Sequence, residues 1–157
     1  MTPAICLLEK MHVTHRVLEY HHDPKATSYG AEAARALNQA PAQVFKTLLA
    51  RLDEGRLVVA MVPVAAQLDL KALARVAGAR KAAMAPPEEA ERATGYVVGG
   101  ISPLGQRRRL TSFIDSSAAS LEEIFVSAGR RGLEIALAPA DLIAVLDARL
   151  AAIARHD

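Results

Sequence analysis

Residues 94–105 read TGYVVGGISPLG, and residues 107–109 that follow are all arginine. The stretch joins a β-type run to a Gly-Gly pair, a Ser-Pro turn and a cationic cluster. Because glycine has no Cβ, Gly99 and Gly100 allow positive φ angles and a close approach of the backbone to a ligand. Backbone N–H groups in such a turn suit an anion or the oxyanion of acyl transfer. The alternative is an ordinary tight turn followed by a solvated charge run.

The flanking pattern predicts a mixed α+β domain. Caps or prolines precede amphipathic runs that predict helices from Pro3 and Pro139 and at residues 31–37, 70–77 and 88–93. Strands are predicted at residues 14–20, 44–52, 57–62, 80–84, 110–115, 124–127 and 133–137, and residues 149–155 fit strand or helix. The turns DEGR at 53–56 and GRRG at 129–132 predict two hairpins, so we expect a mainly antiparallel sheet. The glycines do not form Gly-x-Gly-x-x-Gly, which argues against a dinucleotide fold.

Length and composition indicate an ordinary globular protein. The chain has 157 residues, of which 52% are hydrophobic and 23% charged, and we expect a single domain over residues 1–157. One cysteine excludes an internal disulfide and fits a reducing compartment. The sequence shows no signal peptide and no apolar run of membrane-spanning length. We therefore expect a cytoplasmic protein with no membrane partner.

The positive charge is clustered. A net charge of +2 is too mild to mark a nucleic-acid binder by itself. The arginines, however, form local groups, Arg107-Arg108-Arg109 and Arg130-Arg131. Such groups suit a phosphate-bearing partner.

No sequence pattern indicates a protein nucleophile or a metal site. The five histidines lack a metal-ligand spacing, and His21 and His22 would point to opposite faces of a strand. Ser102 precedes a proline and lacks a nucleophile elbow. Cys6 lies among leucines in the predicted first helix, where a buried hydrophobic role is expected. The sequence thus predicts no metal and no cofactor.

Lys46 interrupts the mostly apolar run VFKTLL at residues 44–49. A lysine at a sheet edge often prevents pairing with another molecule. On a central strand beside a pocket, it would hold an anionic or carbonyl oxygen. Tyr20 and Tyr29 are two of only six aromatic residues and fit either core or pocket.

Six segments together resemble the family of YbaK-type Cys-tRNA(Pro) deacylases, relatives of the editing domain inserted in bacterial prolyl-tRNA synthetases. They are MTPA at 1–4, HDP at 22–24, FKTLL at 45–49, QLDLK at 67–71, TGYVVGGISPLGQ at 94–106, and GL at 132–133 before an acidic residue. The resemblance covers essentially the whole chain.

The resemblance implies a curved, partly barrel-like sheet surrounded by helices, and an enzyme that clears cysteine from mischarged tRNA(Pro). Lys46 would hold the ester or the terminal adenosine, and Gly99 and Gly100 would donate to the ester carbonyl. The pocket would be lined by Tyr20, Tyr29, Thr47, Ser102 and Glu134. Position 29 is often Phe in relatives, and Glu134 stands where Asp is expected.

The resemblance also implies its partners and a mechanism. Mischarged tRNA(Pro) would bind through Arg107, Arg108, Arg109, Arg130 and Arg131, with prolyl-tRNA synthetase as a possible second partner. The thiol of the bound cysteine would attack its own ester carbonyl once the enzyme orients the ester. The protein would then supply proximity and oxyanion stabilisation. Two alternatives remain, a deacylase for another mischarged tRNA such as Ala-tRNA(Pro), and a non-catalytic module that binds tRNA or a synthetase.

Overall fold

The computed structural model describes residues 1–26 and 28–156. Within these residues five α-helices and one 3-10 helix surround three sheets. The helices are α1 (Pro3–Lys10), α2 (Tyr29–Ala36), α3 (Leu70–Val76), α4 (Pro87–Thr94) and α5 (Pro139–Leu146), and the 3-10 helix spans Ser116–Ser120. The mixed α+β class expected from the sequence is confirmed.

The helix ends follow from local chemistry. The Thr2 hydroxyl accepts a hydrogen bond from Ile5 N–H ahead of α1, and the Asp69 carboxylate accepts one from Ala72 N–H ahead of α3. Gly95 ends α4 with φ +82°, which glycine adopts without steric cost. The helix starts predicted at Pro3 and after Asp69 are confirmed.

Ten strands are present in the described residues. They are β1 (Arg16–Glu19), β2 (Phe45–Leu52), β3 (Leu57–Pro63), β4 (Gln67–Leu68), β5 (Ala82–Met84), β6 (Ser112–Asp115), β7 (Ile124–Ser127), β8 (Leu133–Leu137), β9 (Arg149–Ala151) and β10 (Ala154–Arg155). Both predicted hairpins, β2–β3 and β7–β8, are confirmed. Residues 149–155, left open by the sequence, contain two short strands.

The strands form sheets in the orders β5-β2-β3-β6-β9, β1-β8-β7 and β10-β4. Five of the strand pairs are antiparallel, and β3–β6 and β6–β9 are parallel, so the mainly antiparallel prediction is confirmed. The partly barrel-like curvature is not confirmed, because none of these sheets closes on itself among the described residues. A parallel bridge between Val44, just before β2, and Phe125 of β7 joins the three-stranded sheet to this region. Phe45 and Leu49 of β2 pack in one apolar cluster with Ile135 of β8.

Strand β3 lies at the centre of the molecule. All seven of its residues are buried, as expected for an apolar strand covered on both faces. Val59 and Met61 face one apolar cluster with Phe45 and Leu49 of β2. The opposite face packs against α3 through a second cluster that includes Leu73. This packing leaves β2 fixed along one edge while part of its other edge stays open.

Candidate active site

The open edge of β2 is the feature around which the site is built. Val64 N donates to Val44 O at 2.8 Å, and Leu52 N donates to Arg56 O at 2.9 Å. Because hydrogen-bonded pairs alternate along an antiparallel ladder, the even-numbered residues of β2 are the ones whose backbone groups bond to β3. The odd-numbered residues therefore turn their backbone groups to the other edge. Strand β5 pairs there only with residues 50–52. The backbone N–H and C=O of Thr47 therefore pair with neither β3 nor β5.

A cavity of about 380 Å³ lies along this edge. Lys46 and Leu48 line it from one face of β2, and Phe45, Thr47 and Leu49 from the other. Residues from both faces of one strand meet in a single cavity because the cavity follows the strand's edge. The volume falls within the usual range for small-molecule sites.

Six of the eight residues predicted to be catalytic or substrate-binding surround this cavity. They are Tyr20, Tyr29, Lys46, Thr47, Gly99 and Glu134. Further wall residues that no sequence pattern indicated include Met84 and Ala85, Pro87 and Ala90 of α4, and Ser127 of β7.

Lys46 is a partly buried cation at the cavity wall. Burial lowers the pKa of its ammonium group because the charged form loses solvation. None of the salt bridges formed among residues 1–26 and 28–156 involves Lys46. An incompletely solvated cation without an ionic partner is suited to an anionic or carbonyl oxygen of a ligand.

Thr47 brings unpaired polar atoms to the same place. Its Oγ1 is enclosed yet has no hydrogen-bond partner in the described part of the chain. Its backbone N–H and C=O lie on the open edge of β2. Buried polar groups are nearly always hydrogen-bonded, so this concentration indicates a ligand-binding position.

Glu134 is the buried acid of the site, with 6% of its surface exposed. Burial raises the pKa of its carboxyl group to about 8, because the charged form loses solvation. Glu134 is therefore mostly neutral at pH 7 and can donate a hydrogen bond. Burial also raises the pKa of Tyr20, with a smaller contribution from the Glu134 charge, and a backbone hydrogen bond to Gly132 opposes the shift.

We expect Glu134→Gln to stabilise the protein at high pH. The usual Glu pKa is 4.5, and the folded value is about 8, so the folded state holds a proton in this interval that the unfolded state releases. Stability contributed by this site is thus highest below pH 4.5 and falls as pH rises to about 8. Gln cannot ionise, so its gain at pH 9 should be a few kcal/mol, at 1.36 kcal/mol per pKa unit.

Urea unfolding at pH 4, 7 and 9 measures this effect. The exposed Glu122→Gln is the matched control and should leave the pH dependence unchanged. A stability difference for Glu134→Gln that is the same at all three pH values would contradict a raised pKa.

Gly99 and Gly100 have different surroundings. Gly99 lines the cavity with φ +93°. Gly100 is absent from the cavity wall and from the positive-φ positions among the described residues, and its N–H donates to Val97 O at 2.8 Å. The expectation that Gly100 donates to a substrate carbonyl is therefore wrong. A Cβ at Gly100 would lie 2.6 Å from Arg130 Cα, so this glycine permits close contact with the β7–β8 turn.

The expectation that Ser102 lines the pocket is also wrong. Ser102 is fully buried, outside the cavity wall, and its Oγ accepts a hydrogen bond from Leu104 N–H at 3.2 Å. It shapes the Ser-Pro turn. Cys6, expected to be buried, is exposed, because it lies on α1 opposite the face that Ala4, Ile5 and Leu8 bury.

The predicted tRNA-contacting arginines fall into two groups. Arg107, Arg108 and Arg109 are exposed, and so is Arg130. Arg131 is exposed as well, but its guanidinium is engaged within the protein, since it donates to Val98 O from Nη2 at 2.6 Å and from Nε at 3.1 Å. It also stacks on Tyr29, with Cζ 4.6 Å from the ring centre.

The described residues contain no group of three or more His, Cys, Asp or Glu side chains placed to bind a metal ion. His22 is instead paired with Glu32, with Nδ1 and Oε1 2.8 Å apart. Among the helices of the described part, none has the length and apolar character needed to cross a membrane.

Comparison with known proteins relates the chain to aminoacyl-tRNA editing. The model of the aminoacyl-tRNA editing domain family matches residues 22–145. A protein of Enterococcus faecalis, named as a candidate Cys-tRNA(Pro)/Cys-tRNA(Cys) deacylase, EbsC, is 32% identical over 152 residues, which is 97% of this chain and 92% of that protein.

Solved structures share the fold at lower sequence identity. A candidate trans-editing enzyme for prolyl tRNA synthetase aligns with TM-score 0.83 and 24% identity over 99% of both chains. A hypothetical protein aligns with TM-score 0.87 and 21% identity over 98% of this chain and all of the other.

Proposed function

Because the chain belongs to the aminoacyl-tRNA editing domain family, we propose that it is a trans-editing deacylase that releases cysteine from mischarged Cys-tRNA(Pro). The observation that carries the proposal is the cavity along the open edge of β2. It brings together the cation of Lys46, the unpaired polar groups of Thr47, and the neutral carboxyl of Glu134. The relative EbsC, similar over nearly the whole chain, supports the substrate class.

The proposed chemistry uses the nucleophile of the substrate. The cysteine thiol loses its proton, and its sulfur bonds to the ester carbonyl carbon. The bond between that carbon and the ribose oxygen breaks, and this oxygen takes up a proton as the tRNA leaves. Water then opens the cyclic thioester to give cysteine.

The protein contributes position and charge to this reaction. Lys46 and the N–H of Gly99 stabilise the negative charge that develops on the carbonyl oxygen. The open edge of β2 at Thr47 holds the aminoacyl group in reach of its own thiol. No side chain of the protein acts as nucleophile, and no cofactor or metal is required.

Two alternatives make different predictions. A sibling enzyme would prefer another mischarged tRNA such as Ala-tRNA(Pro), and a non-catalytic module would bind tRNA or a synthetase without turnover. Deacylation of Cys-tRNA(Pro), Ala-tRNA(Pro) and Pro-tRNA(Pro) at catalytic protein concentrations separates them. The proposal requires multiple turnovers on Cys-tRNA(Pro) and slow release of the other two. Preferred release of alanine supports the sibling, and binding without turnover supports the module.

Other expectations are retained within this proposal. Residues 1–157 act as one editing domain, located in the cytoplasm, with mischarged tRNA(Pro) as the partner. Prolyl-tRNA synthetase is a second partner to test, by asking whether it changes the deacylation rate.

We expect the exposed arginines to bind tRNA without taking part in chemistry. Neutralising phosphates releases counterions, so each contact adds about 0.7–0.9 to the slope of log affinity against log salt concentration. The triple variant of Arg107, Arg108 and Arg109 to Ala should therefore show a slope shallower by about two to three. Arg130→Ala should lower the slope by about one.

Filter binding or anisotropy with tRNA(Pro) over a range of salt measures these slopes. Arg56→Ala removes an exposed arginine from the β2–β3 hairpin and serves as the control. Slopes equal to that of the wild type would show that the cluster is solvated surface only.

A further inference from the structure

Arg131 joins three parts of the chain at the cavity. Its guanidinium is carried by the β7–β8 turn, donates twice to the carbonyl of Val98, and stacks on the ring of Tyr29 at the start of α2. Each part also supplies cavity wall, through Glu134 next to the turn, Gly99 in the loop, and Tyr29 itself. We refer to Arg131, Val98 and Tyr29 as the clasp.

Gly99 lets the clasp form. A Cβ at this position would lie 2.5 Å from Arg131 Nε and 3.0 Å from two ring atoms of Tyr29. Its φ of +93° is also unfavourable for any residue with a side chain. Because Gly99 has no side chain, Arg131 and Tyr29 can pack directly against it. The same absence leaves its backbone accessible to the cavity.

The clasp fixes the orientation of a backbone donor. The carbonyl of Val98 and the N–H of Gly99 belong to one planar trans peptide unit, so they point in opposite directions. The N–H of Val98 is also held, by Glu91 Oε2 at 2.8 Å. Among the described residues no acceptor binds Gly99 N–H. Anchoring Val98 O to Arg131 thus directs a free N–H away from the clasp at a residue that lines the cavity.

We propose that Arg131 is a positioning residue that sets the Gly99 N–H for the substrate carbonyl, and that it is not a phosphate contact. The inference rests on the proposed function, because it assigns the direction of a donor to the ester. An arginine is required, since a planar guanidinium binds one carbonyl through two N–H groups while stacking on a ring. A lysine keeps the charge but cannot bind one carbonyl through two N–H groups while stacking on a ring.

The test compares Arg131→Lys with wild type on Cys-tRNA(Pro) and on 3′-cysteinyl-adenosine, which lacks the tRNA body. Misplacing a donor by about 1 Å costs on the order of 10²-fold in rate. We therefore expect kcat to fall by about 10- to 100-fold, by a similar factor on both substrates and with little change in KM. A defect confined to KM on the full tRNA, with normal cleavage of the small ester, would overturn the proposal.

Arg56→Lys is the matched control. Arg56 is also exposed and also binds a backbone carbonyl, Ala77 O, from Nη2 at 3.1 Å, but it lies in the β2–β3 turn, and none of the turn residues 53–56 lines the cavity. Its substitution should leave kcat on both substrates unchanged.

The amide resonance of Gly99 provides a readout independent of activity. It should shift in Arg131→Lys and stay in place in Arg56→Lys. An unshifted Gly99 resonance in Arg131→Lys would overturn the clasp, whatever the kinetics. If the wild-type protein cleaves neither cysteinyl ester, that result contradicts the proposed function alone. The Gly99 resonance then tests whether Arg131 orients the Gly99 peptide.

Discussion

Replacing Lys46 with Met or Ala is expected to lower the deacylation rate on Cys-tRNA(Pro) by about 10²–10³-fold, the usual loss when one group that stabilises an oxyanion is removed. The ammonium group lies at the cavity wall, where burial lowers its pKa and raises the strength of its interaction with a nearby oxygen. Met has similar length and flexibility and carries no charge, so it tests the cation separately from packing.

The same variant should fold at least as well as the wild type. A partly buried cation with no salt bridge in the described residues costs solvation energy that no ion pair returns. Lys46→Met is therefore expected to keep or raise the thermal unfolding midpoint while losing activity. Such an exchange of stability for function is typical of active sites.

Lys71→Ala, which removes an exposed lysine near the start of α3, is the control and should change neither quantity. Single-turnover deacylation and thermal unfolding measured on the three proteins check the prediction. Turnover by Lys46→Met close to that of wild type would leave Lys46 as an edge residue with no catalytic role.

Local sequence signals predicted most of the elements of this fold. Thr2, Asp69 and Gly95 act on their own helix ends, and the DEGR and GRRG turns connect neighbouring strands. These features depend on residues a few positions apart. The short strand Gln67–Leu68 was missed because it pairs with Ala154 and Arg155 from the other end of the chain, which no local pattern indicates.

The site was only partly predictable for the same reason. Lys46 was identified as a cation in an apolar strand, but its place on an open edge depends on where β5 stops pairing. The assignment of Gly100 failed because a Gly-Gly pair does not reveal which N–H is used within the turn. In the sequence Arg131 cannot be told apart from its neighbour Arg130, and both are exposed; only the folded chain places Val98 and Tyr29 beside Arg131.

The second large effect concerns the substrate. Serine on tRNA(Pro) is nearly isosteric with cysteine, but its hydroxyl is far less ionised near neutral pH and is a weak nucleophile without an activating base. If the substrate thiol attacks the ester, Ser-tRNA(Pro) should be cleaved about a thousandfold more slowly once bound. The serine hydroxyl is ionised far less often than the cysteine thiol. The greater basicity of the alkoxide offsets only about half of this loss.

Cys6→Ser is the control for this mechanism. Cys6 is exposed on α1 and does not line the cavity. Its substitution should leave the rate unchanged, which would exclude the thiol of the protein as the attacking group.

The most direct test of the account is single-turnover deacylation of Cys-tRNA(Pro) and Ser-tRNA(Pro), with wild-type protein in saturating excess. Saturation removes differences in affinity, which for small changes of side-chain size amount to about 1–3 kcal/mol. Attack by the substrate thiol predicts rapid release of cysteine and release of serine about a thousandfold slower. Comparable rates on the two would contradict it and would indicate a water activated near Lys46 and Glu134.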